Sequence, residues 1–351
     1  MMKFVTILLF FWLLSEGGRG YGQSACRLVF YNVENLFDTE NDPLTWDDDF
    51  TPFGKQHWNT AKYTDKLLKL ATAIQAVGEG QWPVLVGLCE VENRKVLSDL
   101  TGKTSLADAN YSIVHRDSPD KRGIDVALLY KPERFYLLEE DFLPVVLEEE
   151  ADFSTRDILY ARGILDKRDT LHVFVCHFPS MTGGEAESEW RRERAASVVK
   201  RYVRSIQAAQ PRAAILIMGD LNGKADRKAQ TAVLGTRGSD TDEPVDTVLY
   251  NTAYYLLHKD YGSYKYKGKW QTIDQIIVSG ALLNGRHAYR AVKRSVPFSA
   301  PFLLEEDKTF YGYKPFRTYL GPRYHGGYSD HLPVYLDLNR TERAEDKVLG
   351  F

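Results

Sequence analysis

The sequence predicts a single α/β domain in which many buried strands are interspersed with a few helices. Short apolar runs recur along the 351-residue chain and end in turn residues, as buried strands do. Two longer stretches, 63–77 and 190–209, place apolar residues at helical spacing instead. The chain is 44% hydrophobic and shows no repeat, low-complexity block or flexible linker, so one domain around a large core is the simplest interpretation.

The first 25 residues are expected to be a secretory signal peptide rather than part of the fold. Lys3 precedes the apolar run Phe4 to Leu14, which is too short to span a bilayer as a stable helix, and small and polar residues follow. Cleavage between about 20 and 25 predicts a periplasmic or extracellular protein without a transmembrane segment in the mature chain. Lipidation of Cys26 is the alternative, but the Gln-Ser-Ala before it lacks a large aliphatic residue.

Charge and cysteine content argue against two classes of protein. A formal net charge of −3 disfavours a surface that attracts nucleic acid everywhere, although it leaves room for a local basic cleft. The three cysteines are too few, and odd in number, for a disulfide scaffold, so we expect free buried thiols. The acidic runs 47–49 and 148–150, and the arginine-rich sides of the 190–209 helix, are interpreted as solvated.

The first two strands each end in a polar group. In RLVFYNV (27–33), Asn32 shares a face with Phe30, so it is either a strand-end cap or the outer partner of a site. In PVLVGLCEV (83–91), alternation places Glu90 on the face of Val86 and Leu88. A carboxylate that ends an apolar row must be neutralised, paired or bound to a metal, so Glu90 is either a metal ligand or half of a structural ion pair.

The run ILIM (215–218) is stopped by Gly219 and followed by Asp220 and Asn222. In an extended chain, residues two apart point the same way. A carboxylate beside an amide at the end of a rigid strand suits an acid that takes a proton from water while its neighbour orients that water. The alternative is a plain turn, because Gly, Asp and Asn are common turn residues.

Other strand ends repeat this pattern of a polar residue after an apolar row. Arg122, beside a glycine, either binds a phosphate or caps a turn. The alternating apolar residues Leu171, Val173 and Val175 lead to His177. Asp274 shares a face with Ile276 and Val278 of a buried strand, and Asp330 can share a site with His331 only if Asp330 still lies in the loop. Further strands are expected at 126–130, 135–146, 158–165 and 332–338, and a hairpin at 263–270.

In this order, the motifs resemble those of the endonuclease/exonuclease/phosphatase superfamily. Their detailed residue sequences are similar to those of an exported bacterial branch. The matching stretches are YNVENLFD, GLCEVEN, RGIDVALLY, HFPS, GDLN, TIDQIIVS and SDHLPVYL, and GDLN followed by SDHLP is the specific pair. The resemblance implies a deoxyribonuclease I-like fold, a four-layered sandwich of two mixed β-sheets flanked by helices. Such a domain would span 26–340 and leave a charged tail at 341–351.

The resemblance also implies a metal and a hydrolytic water. Glu90 would bind Mg²⁺ or Mn²⁺, assisted by Asn32 and Asp330, because oxygen ligands suit these hard cations. Asp220 would deprotonate or orient the attacking water, and Asn222 would fix that water and contact the phosphate.

The remaining roles concern the phosphate. His331, oriented by Asp274, would support the charge that builds on phosphorus or act as the base instead of Asp220. His177 would hydrogen-bond the phosphate or assist the leaving oxygen, and Arg122 would bind the phosphate.

These roles predict a secreted, metal-dependent phosphodiesterase, most simply a nuclease acting as a monomer on DNA or RNA. One alternative keeps the chemistry but makes the substrate a lipid headgroup, a sugar or inositol phosphate, or a nucleotide. The other is a non-catalytic glycan-binding module built from the tyrosine-rich region 250–328.

Overall fold

The computed structural model describes residues 26–147, 150 and 153–341. The expected signal peptide, two residues of the acidic run 148–150 and nearly all of the tail 341–351 lie outside the described residues. None of the helices in these ranges has the length and apolar character that a bilayer crossing requires.

Within the described ranges, two large sheets and three short hairpins account for the strands. The first sheet contains β1 (Cys26–Leu36), β2 (Leu85–Val91), β3 (Ser112–His115), β4 (Asp125–Tyr130), β14 (Tyr289–Ala291), β15 (Val296–Pro297) and β20 (Val334–Arg340). The second contains β5 (Phe135–Leu143), β6 (Ile158–Leu165), β7 (Asp169–His177), β8 (Ala214–Asp220), β9 (Thr236–Gly238), β10 (Leu249–Asn251) and β13 (Asp274–Ser279).

The hairpins and helices complete the fold. The hairpins pair β11 (Tyr264–Tyr266) with β12 (Lys269–Gln271), β16 (Leu304–Glu306) with β17 (Tyr313–Pro315), and β18 (Tyr319–Leu320) with β19 (Arg323–Tyr324). The α-helices are α1 (Thr60–Val77), α2 (Arg94–Gly102), α3 (Glu189–Ala209) and α4 (Gly280–Leu283). Single turns of 3₁₀ or π helix lie at Asp48–Phe50, Ser105–Ala109, Ala229–Leu234, Tyr254–Leu256 and Pro301–Leu303.

Both sheets are built around one parallel pair. The first has the order β14-β20-β1-β2-β4-β3, with β15 also on β20, and the second has the order β5-β6-β7-β8-β13-β10-β9. β1 is parallel to β2 and β7 to β8, and the helices α1 and α3 make the two crossovers that parallel neighbours require. The strands β20 and β13, which flank these pairs, run antiparallel to them.

The apolar faces form three layers of core, which confirms the predicted four-layered sandwich of mixed sheets. Leu28 and Phe30 of β1 pack in the core between the sheets. Val29, on the opposite face, packs in a second core with α1 and α2, and a third core joins the outer face of the second sheet to α3. The three cysteines are free and buried, as expected, and burial raises the pKa of each thiol.

Two charged segments differ from their predicted solvation. Asp47 is 1% exposed and accepts the backbone N–H of Asp42, so only the two other aspartates of the run are exposed. Arg192 of α3 is fully buried and donates to the Ser188 hydroxyl and the Glu185 carbonyl. Arg192 therefore links α3 to the loop before it. Its guanidinium can be buried because these oxygens accept its hydrogen bonds.

Candidate active site

The carboxyl ends of the four parallel strands meet at one rim of the sandwich. They carry Asn32 (β1), Glu90 (β2), His177 (β7) and Asp220 (β8). Since β13 and β20 run the opposite way, their first residues reach the same rim, and Asp274 lies directly opposite Asp220 in the sheet register. Chain segments far apart in sequence thus bring their polar ends together.

A hydrogen-bonded histidine lies at the centre of this rim. His331 Nδ1 is 2.7 Å from Asp274 Oδ2, and the hydroxyl of Ser263 donates to the same carboxylate oxygen. The other ring nitrogen, Nε2, is 3.9 Å from both Asp220 Oδ2 and Asp330 Oδ1. Asp330 precedes β20 and remains in the loop, which is the condition that lets it share the site with His331.

Asn32 bridges two carboxylates. Its Nδ2 donates to Glu90 Oε1 at 3.3 Å and to Asp220 Oδ2 at 3.1 Å, while its Oδ1 accepts the Glu34 N–H. The amide oxygen expected beside Glu90 as a metal ligand is therefore held by the backbone. In this arrangement Asn32 hydrogen-bonds both acids, and its role as a metal ligand stays a prediction.

The side chain of Glu90 reaches the rim through an irregularity that alternation did not predict. Strict alternation places Glu90 with Val86 and Leu88, whose side chains pack in the core beneath α1 and α2. Glu90 instead has a positive φ of 63°, and the register with both neighbouring strands shifts beside it. This bulge turns its carboxylate toward Asn32 and the Asn35 N–H, 3.0 Å from Oε2.

The segment after β8 is a turn as well as part of the site. β8 ends at Asp220, and Asn222 has a φ of 46°, so the extended geometry expected for this pair is wrong. The Asn222 N–H donates to Asp220 Oδ1 at 2.9 Å, and its side-chain Nδ2 donates to the Phe178 carbonyl at 3.0 Å. The Asp220 carboxylate, by accepting the backbone N–H two residues further on, stabilises this turn.

His177 is buried between two acids. Its Nε2 lies 3.8 Å from Asp220 Oδ2 and 4.0 Å from Glu90 Oε1. Arg156, which sequence reasoning missed, donates to the carbonyls of His177 and Phe178 at 3.2 and 2.7 Å. An isolated arginine before a strand carries no pattern that could have identified it.

A second missed group secures Asp330. Arg317 donates to Asp330 Oδ2 at 3.0 Å and to Glu34 Oε1 at 3.2 Å, and the other oxygen of Glu34 accepts the Thr318 N–H. Buried Lys66 donates to the Thr318 hydroxyl behind them. Glu34 lies two residues after Asn32, but its φ of 51° and the register shift between Asn32 and Leu36 break the strand alternation there, so that argument does not reach it.

Burial and charge shift the pKa values of the two histidines in opposite directions. Burial lowers the pKa of His331, but the carboxylates of Asp274, Asp330 and Asp220 outweigh it and raise that pKa well above its usual value. Burial, with Arg156 and other cations, holds the pKa of His177 well below its usual value. Burial and the charge of Asp274 raise the pKa of Asp220 to about 7. Groups whose pKa values are driven apart in this way are suited to acid–base work.

These side chains open onto a cleft of about 710 Å³. The predicted residues on its wall are Glu90, Arg122, His177, Asp220, Asn222, Asp330 and His331. Asn32 and Asp274 contact these residues from behind. Arg122 is half exposed on this wall, and Asp120 accepts its backbone N–H and lies 3.4 Å from its side-chain Nε.

The donor set fits a hard divalent cation. Asp220, Asp274 and His331 have ligand atoms within 4.8 Å of one another, but His331 and Asp274 already satisfy each other, which leaves their trio unsuited to a metal. Glu90 and Asp330 instead present carboxylate oxygens to the open cleft, as Mg²⁺ and Mn²⁺ require. Burial first, and then the charge of Asp274, raises the pKa of Asp220, and a cation in the cleft would lower that pKa.

Known proteins share this architecture. Among solved structures, the chain is similar to the catalytic domain of human Nocturnin (16% identity, TM-score 0.54, covering 90% of this chain and 95% of that one). It is also similar to two Bacteroides thetaiotaomicron proteins. One is an endonuclease/exonuclease/phosphatase family protein (15%, 0.56, 90% and 98%), and the other is a mannosyl-6-phosphatase (15%, 0.53, 89% and 99%). At these identities the likeness shows the fold alone.

No curated protein sequence matches the chain closely enough to count as a relative. The model of the Endonuclease/Exonuclease/phosphatase family, however, matches residues 27–340, which is most of the chain. The chain therefore belongs to the endonuclease/exonuclease/phosphatase family of hydrolases.

Proposed function

We propose that this chain is an exported, divalent-metal-dependent phosphodiesterase. The observation that carries the proposal is the convergence of Asp220 Oδ2 with three groups: the His331 ring 3.9 Å away, the His177 ring 3.8 Å away and the Asn32 amide. A proton acceptor, two imidazoles and an amide around one point are what attack of water on phosphorus requires.

Each residue has a distinct task in this proposal. Asp220 accepts the proton of the attacking water, because its Oδ2 faces the cleft and both oxygens are fixed by hydrogen bonds to Asn32 and Asn222. Asp274 occupies His331 Nδ1, so only Nε2 can donate to a phosphoryl oxygen as negative charge develops. Glu90 and Asp330 would hold the cation, which when bound polarises the phosphoryl group as a Lewis acid.

The shape and charge of the cleft favour a small phosphodiester over a nucleic-acid duplex. A cleft of about 710 Å³ matches the size of small-molecule sites. Arg122 and Lys224 are the basic side chains on its wall, whereas proteins that grip duplex DNA use about 6–10 phosphate contacts. A sugar, inositol, lipid-headgroup or nucleotide phosphodiester is thus the preferred substrate class.

A nuclease acting on single strands is the second candidate, and aromatic rings at the cleft favour it. Tyr264 stacks on His331 with ring centroids 4.7 Å apart, and Tyr266 is 51% exposed on the same wall. Such rings can stack on bases of any sequence.

The catalytic test compares Asp220→Asn and His331→Ala with the parent on bis-p-nitrophenyl phosphate in Mg²⁺. Removing a positioned proton acceptor or donor should lower kcat by about a hundredfold or more. Asp108→Asn and His258→Ala, at exposed positions, are the matched controls and should keep the parent rate. Chelation should abolish activity, and Mg²⁺ or Mn²⁺ should restore it. Folded site variants with parental rates would overturn the proposal.

The substrate test measures hydrolysis of a panel of small phosphodiesters, single-stranded DNA and duplex DNA over a series of salt concentrations. A small-substrate enzyme should hydrolyse its diester with little dependence on salt, whereas cleavage of a nucleic acid should weaken steeply as salt rises. A strongly salt-dependent activity confined to DNA or RNA would favour the nuclease.

Export through the segment 1–25 is part of the proposal. The Cys26 side chain is fully buried in β1, a position that suits an unmodified thiol better than a lipidated one. Mass spectrometry of the protein recovered from its native cell should show a mature chain that begins near residue 26 without lipid. A chain retaining its first 20 residues, or carrying an acylated Cys26, would contradict this part.

A further inference from the structure

The loop between β3 and β4 closes on a small polar cluster away from the cleft. His115 ends β3 and Asp125 begins β4, and their side chains are only 2% and 4% exposed. Asp117, on the loop itself, lies over them from the solvent side with 78% of its side chain exposed. None of the three belongs to the active site described above.

The atoms of this cluster face one another without bonding. His115 Nε2 is 3.6 Å from Asp125 Oδ2 and 3.9 Å from Asp117 Oδ1, both beyond hydrogen-bond range. Among the described residues this buried nitrogen has no hydrogen-bond partner, and neither has the buried hydroxyl of Ser118 in the same loop. A buried polar atom without a hydrogen-bond partner is destabilising, so this nitrogen is available to bind a ligand.

The separations suit ligands of one ion. All three ligand atoms lie within 4.8 Å of one another. Two ligand atoms bound at about 2.0–2.2 Å to the same zinc-like ion are roughly 3–4 Å apart. The second oxygen of Asp125, Oδ1, is already held by the Ser118 N–H at 2.9 Å, which leaves Oδ2 directed at His115.

We propose that His115, Asp117 and Asp125 form a second cation site that binds a divalent transition metal. The imidazole ligand selects a Zn²⁺- or Co²⁺-like ion over Mg²⁺ or Ca²⁺, which prefer oxygen alone. Three protein ligands leave at least one position for water. The site goes beyond the proposed phosphodiesterase activity and does not depend on it.

The position of the proposed cation site, at the base of the loop between β3 and β4, indicates a structural role. The loop that it closes also carries Asp120 and Arg122. Asp120 accepts the Arg122 N–H and receives the guanidinium of Arg156, which in turn donates to the carbonyl of His177. A cation at the base of the loop would therefore stiffen the segment that presents Arg122 to the cleft. In this proposal the cation has a structural role.

The test is a Co²⁺ titration of the chelator-treated protein in excess Mg²⁺, followed by visible absorption and by Tm. The Mg²⁺ competes for the carboxylates of the active site, and comparison with the His115 and Asp117 variants assigns Co²⁺ uptake to this cluster. The parent should bind one Co²⁺ through this site and gain several degrees in Tm. Asp117→Asn should weaken Co²⁺ binding by at least about tenfold, and His115→Gln should abolish it.

Two controls separate this site from the active site and from misfolding. Asp108→Asn, an exposed acid elsewhere, should bind Co²⁺ like the parent, and Glu90→Gln should keep this binding even where hydrolysis is lost. Asp117 is exposed, so its variant should match the parent in Tm when chelator is present. If the parent takes up no Co²⁺ here, or if both site variants bind it like the parent, the cluster is an ordinary buried ion pair and the proposal fails.

Discussion

Arg156 shows at the scale of one residue how a buried charge can hold a site together. Its side chain is 3% exposed and pairs at 2.9 Å with Asp120, which is 5% exposed. The same guanidinium donates to the carbonyls of His177 and Phe178 at the end of β7. Removing one partner of such a pair strands the other charge away from water, and that loss is large even where the intact pair adds little stability.

Arg156→Met should therefore lower the free energy of unfolding by about 3 kcal/mol, because the buried Asp120 carboxylate then keeps only the half-exposed Arg122, 3.4 Å away, as a cationic partner. Urea denaturation of the parent and the variant measures this difference.

The matched control for that prediction is Arg162→Met. Arg162 pairs with Glu139 at a similar distance of 2.9 Å, but the two side chains are 36% and 46% exposed. Solvent screens such a pair, so its loss should cost about 1 kcal/mol or less. Equal effects of the two substitutions would show that burial is not what makes Arg156 important.

At the scale of one strand, β7 carries two histidines that face different environments. His177 points into the site, whereas His172 packs against Tyr160 of β6, whose hydroxyl lies 2.9 Å from Nδ1. Burial, aided by Arg162 and opposed by Gln210 and Glu139, lowers the pKa of His172 to about 4. The folded strand therefore keeps this imidazole neutral.

This depressed pKa predicts a pH-dependent stability. An unfolded histidine binds a proton below about pH 6.5, whereas folded His172 does so only near 4. Between these values the unfolded state holds more protons, so stability is full above about 6.5 and is lost as the pH falls toward 4. His172→Phe should flatten the fall of Tm between pH 7 and 4.5, as thermal denaturation at each pH would show.

His258→Gln, at an exposed histidine, provides the reference for the pH experiment. Its Tm should fall with pH as the parent's does, because His258 is exposed and lies outside the buried surroundings of His172. If His172→Phe shows the parent's slope, His172 is not a source of the acid sensitivity.

At the scale of the whole molecule, the spacing between the two sheets depends on a small residue. Gly87 of β2 faces Met218 of β8 across the inter-sheet core, and a Cβ at Gly87 would lie 2.5 Å from the methionine sulfur and 3.3 Å from a ring carbon of Phe30. Close packing leaves no space for that methyl group. The two parallel pairs, and the site at their ends, can approach this closely because position 87 is glycine.

Gly87→Ala should destabilise the protein by about 1–3 kcal/mol through overpacking. Met218→Ala alone leaves a cavity and should cost about 2–5 kcal/mol. The double variant should be more stable than the sum of the single losses predicts, because each change relieves the other. Chemical denaturation of the four proteins gives the coupling free energy.

Gly102→Ala is the control for Gly87→Ala. A Cβ there meets nothing within 4 Å, and the position lies at the end of α2. The substitution should be neutral or slightly stabilising, because it reduces the freedom of the unfolded chain. Additive losses in the Gly87 and Met218 cycle would show that the sheets are not in contact there.

The sequence by itself determined the fold class, the order of the motifs and most of the strand faces. The face shared by Asn32 with Phe30 in β1, and by Asp274 with Ile276 in β13, followed from alternation and lies toward the inter-sheet core. Alternation is a local property with a period of two, so it can be read from neighbouring residues without knowledge of the rest of the chain.

Only the tertiary structure decided how Glu90 reaches the site, because its direction depends on a bulge set by the register with β1 and β4. It also supplied the cations that hold the acids, such as Arg317, which donates to Glu34 at a separation of 283 residues. Contacts of this kind are fixed by which distant segments pack together, and the free energy of burying a charge depends on that packing rather than on the local sequence.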